Sequence, residues 1–103
     1  MNSQITEDFS ALAEHAESAA ALLKQLANPH RLMLLCTLIE GELSVGELNA
    51  RVPLSQSALS QHLASLRDAN LVATRKDRQQ VFYRLSGSEA VSVIKVLKRL
   101  YCS

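Results

Sequence analysis

The chain has no tryptophan, and only 4% of its 103 residues are aromatic, so any core it builds must be aliphatic. Leu, Ala and Val dominate the apolar set, a composition suited to packed helices. No apolar run approaches the ~20 residues that span a bilayer, and the N-terminus lacks the basic-then-apolar pattern of a signal peptide. A cytoplasmic location without a membrane partner is therefore expected. There are two cysteines, widely separated in sequence, and a standing structural disulfide between them is not expected in a reducing compartment. They are either inert or reactive. Ser/His/acid arrangements, phosphate-binding loops and acidic clusters are missing, and neither cysteine has a neighbouring His. This argues against an enzyme and against a bound cofactor.

What is present is segregated. The formal net charge is +1, but residues 1–23 hold Glu7, Asp8, Glu14 and Glu17 without a single Lys or Arg. Residues 51–84 hold Arg51, Arg67, Arg75, Lys76, Arg78 and Arg84 against Asp68 and Asp77. A basic half is the electrostatic footprint of a surface that meets phosphates, although a charged face can also be merely solvated.

The apolar spacing predicts an early long helix. Phe9, Leu12, Ala16, Ala19, Leu23 and Leu26 recur at steps of three and four, giving a stripe over roughly residues 7–27. Ala13, Ala20 and Ala27 widen it beyond one seam, and so short a chain has little left to cover it. A second subunit is the expected cover. Asn28-Pro29 ends this helix and starts another, with Asn as N-cap and Pro at the first helical position. The run Leu32 to Ile39 is apolar almost all round and belongs in the core, with Gly41 as the expected C-cap.

Ser44 caps a short third helix through Arg51, with Glu47 at the capping-box position. Pro53 breaks the chain, and Ser55 caps a fourth helix whose Leu59, Leu63 and Leu66 share one face. Two helices joined by a few residues over 44–69, the second rich in Ser and Gln outside, form a helix-turn-helix pattern. The periodicity then changes to strands at Leu71–Arg75 and Val81–Leu85, joined by the polar tip Lys76-Asp77-Arg78-Gln79-Gln80. This hairpin over 71–85 is a wing. A last helix over 87–102 carries Val93, Val96, Leu97 and Leu100 on one face. The expected architecture is a single winged helix-turn-helix domain over 1–103, mainly α with a small β-hairpin, in the order α-α-α-α-β-β-α.

Three segments carry a family resemblance: Leu26-Ala27-Asn28-Pro29-His30-Arg31-Leu32, then Glu42 to Leu48, then Leu54-Ser55-Gln56-Ser57-Ala58-Leu59-Ser60-Gln61-His62-Leu63. Together they resemble the ArsR/SmtB family of repressors, and Val81-Phe82-Tyr83-Arg84-Leu85 is similar to its wing. The likeness covers about residues 20–102. It implies a homodimer joined through the first and last helices, a fourth helix in the DNA major groove of a palindromic site, and an inducer that weakens DNA affinity.

Metal-sensing members carry cysteines where this chain has Ser44 and Gly46, or His and acidic ligands on a last helix that here offers only Glu89. A metal site is thus not expected, and His15, His30 and His62 are scattered in sequence. Cys36 in the second helix and Cys102 after Leu100-Tyr101 resemble instead the HlyU/BigR-like, persulfide-responsive branch. That resemblance implies two redox-sensing thiols joined by a disulfide or polysulfide bridge, with a reactive sulfur species or another thiol-modifying inducer as partner.

The residues themselves leave Cys36 open. Leu32, Leu35, Cys36 and Ile39 share a helical face, so its thiol is equally readable as a small core hydrophobe. Cys102 has Lys98 and Arg99 one turn before it, favouring thiolate, but sits at the negative end of its helix dipole, opposing it. The more accessible thiol at the chain end is expected to react first, with Cys36 resolving.

For double-stranded DNA the expected contacts are Ser55, Gln56, Ser57, Ser60, Gln61 and His62 on the fourth helix and Arg75, Lys76 and Arg78 on the wing. Glutamine pairs bidentately with adenine, Ser bonds phosphate or base edge, and a helix N-terminus favours phosphate. His62 reads either as a phosphate donor or as part of the packing under the helix-turn-helix. Two other readings stand beside this one: a metal-responsive repressor, and a winged-helix protein-interaction module without DNA binding.

Overall fold

A computed structural model describes residues 3–102, with side chains from Ser10 onward; Glu7, Asp8 and Phe9 lie outside the described side chains. The chain folds as α1 (Ser3–Leu26), α2 (Pro29–Leu38), β1 (Leu43–Ser44), α3 (Val45–Arg51), α4 (Gln56–Asp68), β2 (Val72–Asp77), β3 (Gln80–Leu85) and α5 (Ser88–Tyr101). Local chemistry sets most boundaries. The Asn28 side chain accepts from the backbone N–H groups of His30 and Arg31, with Pro29 at the start of α2. The Ser44 hydroxyl accepts from Glu47 N at 3.1 Å while the Glu47 carboxylate accepts from Ser44 N at 2.8 Å, a complete capping box. Ser55 Oγ accepts from Ala58 N and starts α4. Such caps each contribute about 1 kcal/mol.

Leu34, Leu35, Leu48, Leu59, Leu63, Leu66 and Ile94 are all but sealed from solvent and make the centre of an aliphatic core. α2 supplies its middle, α3 and α4 close one side, and the buried face of α5 closes another. β2 and β3 form an antiparallel ribbon from Val72↔Leu85 to Asp77↔Gln80.

Three features differ from the sequence reading. The sheet has three strands in the order β1-β3-β2, because Leu43 and Ser44 pair with Tyr83 and Phe82. The tip expected over Lys76 to Gln80 shrinks to Arg78 and Gln79, since pairing continues to Asp77↔Gln80. Arg78 takes a positive φ of 58°, which closes the two-residue turn without splaying the strands. Helix α2 ends at Leu38 with Ile39 as its C-cap, and Gly41 serves the following turn at φ 153°, its N–H donating to Leu38 O.

Helix α1 gives the molecule its 58 × 29 × 21 Å outline. It meets the rest of the chain chiefly at its C-terminal turns, where Leu26 is buried. Arg31 of α2 donates to the carbonyls of Gln25 (2.8 Å) and Lys24 (3.5 Å), satisfying the end of α1, and Ser65 of α4 donates to the Gln25 side chain. Further up the helix the apolar stripe is uncovered, with Leu12 67% and Leu23 58% exposed. Leu100 (65%) and Tyr101 (81%) stand equally open on α5. Among the described residues no helix is long and apolar enough to cross a membrane.

Candidate DNA-binding surface and thiol pair

The fourth helix divides cleanly. Leu59, Leu63 and Leu66 face the core, while Ser55, Gln56, Ser57, Ser60 and Gln61 are exposed at its N-terminal turns. Anchored by three leucines, the helix can present these short polar groups rigidly to a groove edge. Ser60 also borders a shallow groove of about 360 Å³ shared with Val45, Ala64, Arg67 and Tyr83, between α4 and the sheet. His62 is half-buried and does not stand out with them. Its ring lies 5.8 Å from that of His30 at the start of α2. Burial pushes its pKa down, and the charges of Arg31 and His30 push the same way. Two of the three histidines scattered in sequence are thus brought together; His15 lies apart, on α1. Among the described residues no three His, Cys, Asp or Glu side chains are grouped to hold a metal.

On the wing, Lys76 and Arg78 are exposed and make no ion pair among the described residues. Arg75 is differently placed. Its Nε donates to both carboxylate oxygens of Glu42 at 3.1 and 3.2 Å, and its Nη2 donates to Oε1 at 2.7 Å. The guanidinium also lies 4.5 Å above the Phe82 ring and 3.8 Å from Asp77. The hydrogen bond from Arg75 holds the Glu42 carboxyl below its usual range. Sequence reasoning missed Glu42 because its partner is 33 residues away and β1 is too short to show a period.

The two cysteines fall on helices that pack together, Cys36 within α2 and Cys102 at the C-terminal end of α5. Cys36 is half-buried beside the core and Cys102 is exposed as the C-cap of α5. They are near enough for the Cys102 charge to disfavour the Cys36 thiolate. Burial is the larger influence raising the Cys36 pKa, and Lys98 opposes both. The Lys98 ammonium donates to Glu40 at 3.1 Å, across a recess lined by Cys36, Thr37, Glu40, Arg51 and Lys98.

A buried-leucine helix with a polar outer face, followed by a basic ribbon, is a surface suited to contacting DNA, and comparison places the chain among regulators of that kind. The profile described as bacterial regulatory protein, arsR family, matches residues 28–74. The chain is 55% identical over 91 residues to the transcriptional activator HlyU of Vibrio cholerae, covering 88% of this chain and 84% of that one.

This chain belongs to the ArsR family of bacterial regulatory proteins.

It is also 47% identical over 93 residues to the biofilm growth-associated repressor of Agrobacterium fabrum, covering 90% of this chain and 80% of the other. Reduced HlyU from V. cholerae superposes with a TM-score of 0.87 at 54% identity, covering 90% of this chain and 98% of that one. The repressor BigR from Xylella fastidiosa gives 0.82 at 41% identity, over 100% and 99% of the two chains. These are transcriptional regulators, not enzymes, with a winged helix-turn-helix fold. This ArsR-family chain is accordingly a DNA-binding transcriptional regulator.

Proposed function

We propose that the protein binds palindromic operator DNA as a homodimer and that a bond joining Cys36 to Cys102 releases it. The observation that supports the reading is that Cys36 and Cys102, 66 positions apart in sequence, fall on two helices that pack together, α2 and the end of α5. α5 bears the uncovered Leu100 and Tyr101, and α1 bears the uncovered Leu12 and Leu23. These apolar faces suit a self-complementary dimer interface. A bridge between α2 and α5 would tie that interface to the helix next to α4 and change the spacing of the two recognition helices. Gln56, Ser57, Ser60 and Gln61 read base edges in this account, with Ser55 and His62 toward the backbone, while Lys76 and Arg78 meet phosphate.

The chemistry balances with a sulfane-sulfur donor, R–S–SH, as oxidant. The exposed Cys102 thiolate attacks the terminal sulfur, giving Cys102–S–SH and the thiolate RS⁻. Cys36 then loses its proton to water and attacks the sulfur bonded to Cys102. A Cys36–Cys102 disulfide forms and HS⁻ leaves; longer donors give a polysulfide bridge. The burial of Cys36 supports its role as the second, slower thiol.

The direct test compares wild type with Cys36→Ser and Cys102→Ser on labelled DNA, before and after hydropolysulfide treatment. Loss of triggered release in both variants supports the switch. Release that persists in Cys36→Ser shows the bridge to be unnecessary.

A further inference from the structure

Cys36 lies in the last turn of α2 and Glu40 in the turn that follows that helix, while Lys98 lies in α5 one turn before its C-cap, Cys102. The ion pair Glu40–Lys98, 3.1 Å long, links the turn after α2 to α5, and both residues line the recess at Cys36. Lys98 takes part at both ends. Its carbonyl accepts the N–H of Cys102 at 2.8 Å, which fixes the end of α5, and its ammonium reaches over the recess at Cys36. The groups around Cys36 are then Glu40 from the turn after its own helix, Lys98 from α5 with Cys102 at that helix's end, and Arg51 from α3.

We propose that Lys98, held in place by Glu40, is the positioning residue that lets Cys36 attack as a thiolate during bridge formation. This rests on the thiol-switch reading above and assigns it a residue that acts through Cys36. The physical problem is specific: the second thiol is half-buried against the core and must ionise there. Burial opposes that ionisation and pushes the Cys36 pKa up. Lys98 is the cation that counters it. It also favours the departing HS⁻, which is released into the same recess of about 350 Å³. Glu40 moderates the effect by neutralising part of the ammonium charge while holding the side chain across the recess. The first step, at exposed Cys102, meets no such burial.

The test follows both steps by quenched intact mass in the full-length dimeric or monomeric protein as purified, treated with hydropolysulfide between pH 6 and 9. In Lys98→Met bridging at pH 7 should slow several-fold, and by clearly more than formation of the added-sulfur species at exposed Cys102, which keeps Arg99 beside it. The pH midpoint of bridging should rise, and Lys98→Arg should restore it. Glu40→Gln, whose amide oxygen can still accept from Lys98, should shift the midpoint the opposite way, because a negative charge is removed and Lys98 keeps both its place and its charge. If the ion pair merely braced the helices, both variants would slow bridging in the same direction; that result overturns the proposal. An unchanged midpoint in Lys98→Met overturns it as well. Absence of any bridge in wild type would instead defeat the thiol-switch reading itself.

Discussion

Arg75 is clamped by Glu42: three hydrogen bonds, the shortest 2.7 Å, hold the wing guanidinium against the loop before β1 and above Phe82. A cation so engaged must give up its carboxylate before it can meet a phosphate. Arg78 and Lys76, without such partners among the described residues, are free to do so. Arg78→Ala should therefore lower the slope of log affinity against log salt by about one, whereas Arg75→Ala should lower it by less. Glu42→Gln should strengthen DNA binding by freeing Arg75. Anisotropy titrations across a potassium chloride series measure all three, and equal slopes for the two Arg variants would refute the distinction.

The two faces of α4 should separate on substitution. Gln61→Ala should weaken binding to the specific site by about 1–3 kcal/mol and leave thermal unfolding nearly unchanged. Leu63→Ala, at a site 2% exposed, should cost about 2–5 kcal/mol of folding stability. Denaturant unfolding beside DNA titration distinguishes these outcomes.

His62 makes stability depend on pH. The folded protein holds it less basic than its ordinary value, mainly through burial. As pH falls through the ordinary His range near ~6.5, the unfolded chain takes up the proton first. Stability should therefore decline on acidification from about pH 7.5 to 5.5, until the folded His62 protonates too. Melting curves of wild type and His62→Gln over that window should diverge, with the variant losing less. Parallel curves would show that His62 contributes nothing to the decline.

The uncovered apolar residues on α1 and α5 give a test of assembly. Leu23→Glu and Leu100→Glu place a charge on faces already 58% and 65% exposed in one chain, so neither should unfold it. Each should shift sedimentation from dimer toward monomer and weaken DNA binding in parallel. A dimer that persists in both variants would place the interface elsewhere.

How much of this was legible in the sequence follows from range. Asn28, Ser44 with Glu47, and Ser55 act within three residues, so their spacing alone revealed three helix starts. Leu59, Leu63 and Leu66 announced the buried side of α4 by period. β1 could not be read, because two residues carry no period and its pairing partner lies at Phe82 and Tyr83. Contacts between Glu42 and Arg75 (33 positions), Glu40 and Lys98 (58 positions) and the rings of His30 and His62 exist only once the helices pack. Cys36 read equally as a core residue or a reactive thiol, and its half-buried place, packed against the core yet lining a recess with Lys98, shares something of both.

The central claim is tested most directly by fluorescence anisotropy of a labelled duplex from the DNA upstream of the protein's own gene. Reduced protein and hydropolysulfide-treated protein are compared, with intact mass recorded on the same samples. The account predicts tight binding when reduced, and release together with the mass of a disulfide or polysulfide bridge between Cys36 and Cys102. Tight binding that survives complete conversion to the bridged form would contradict it.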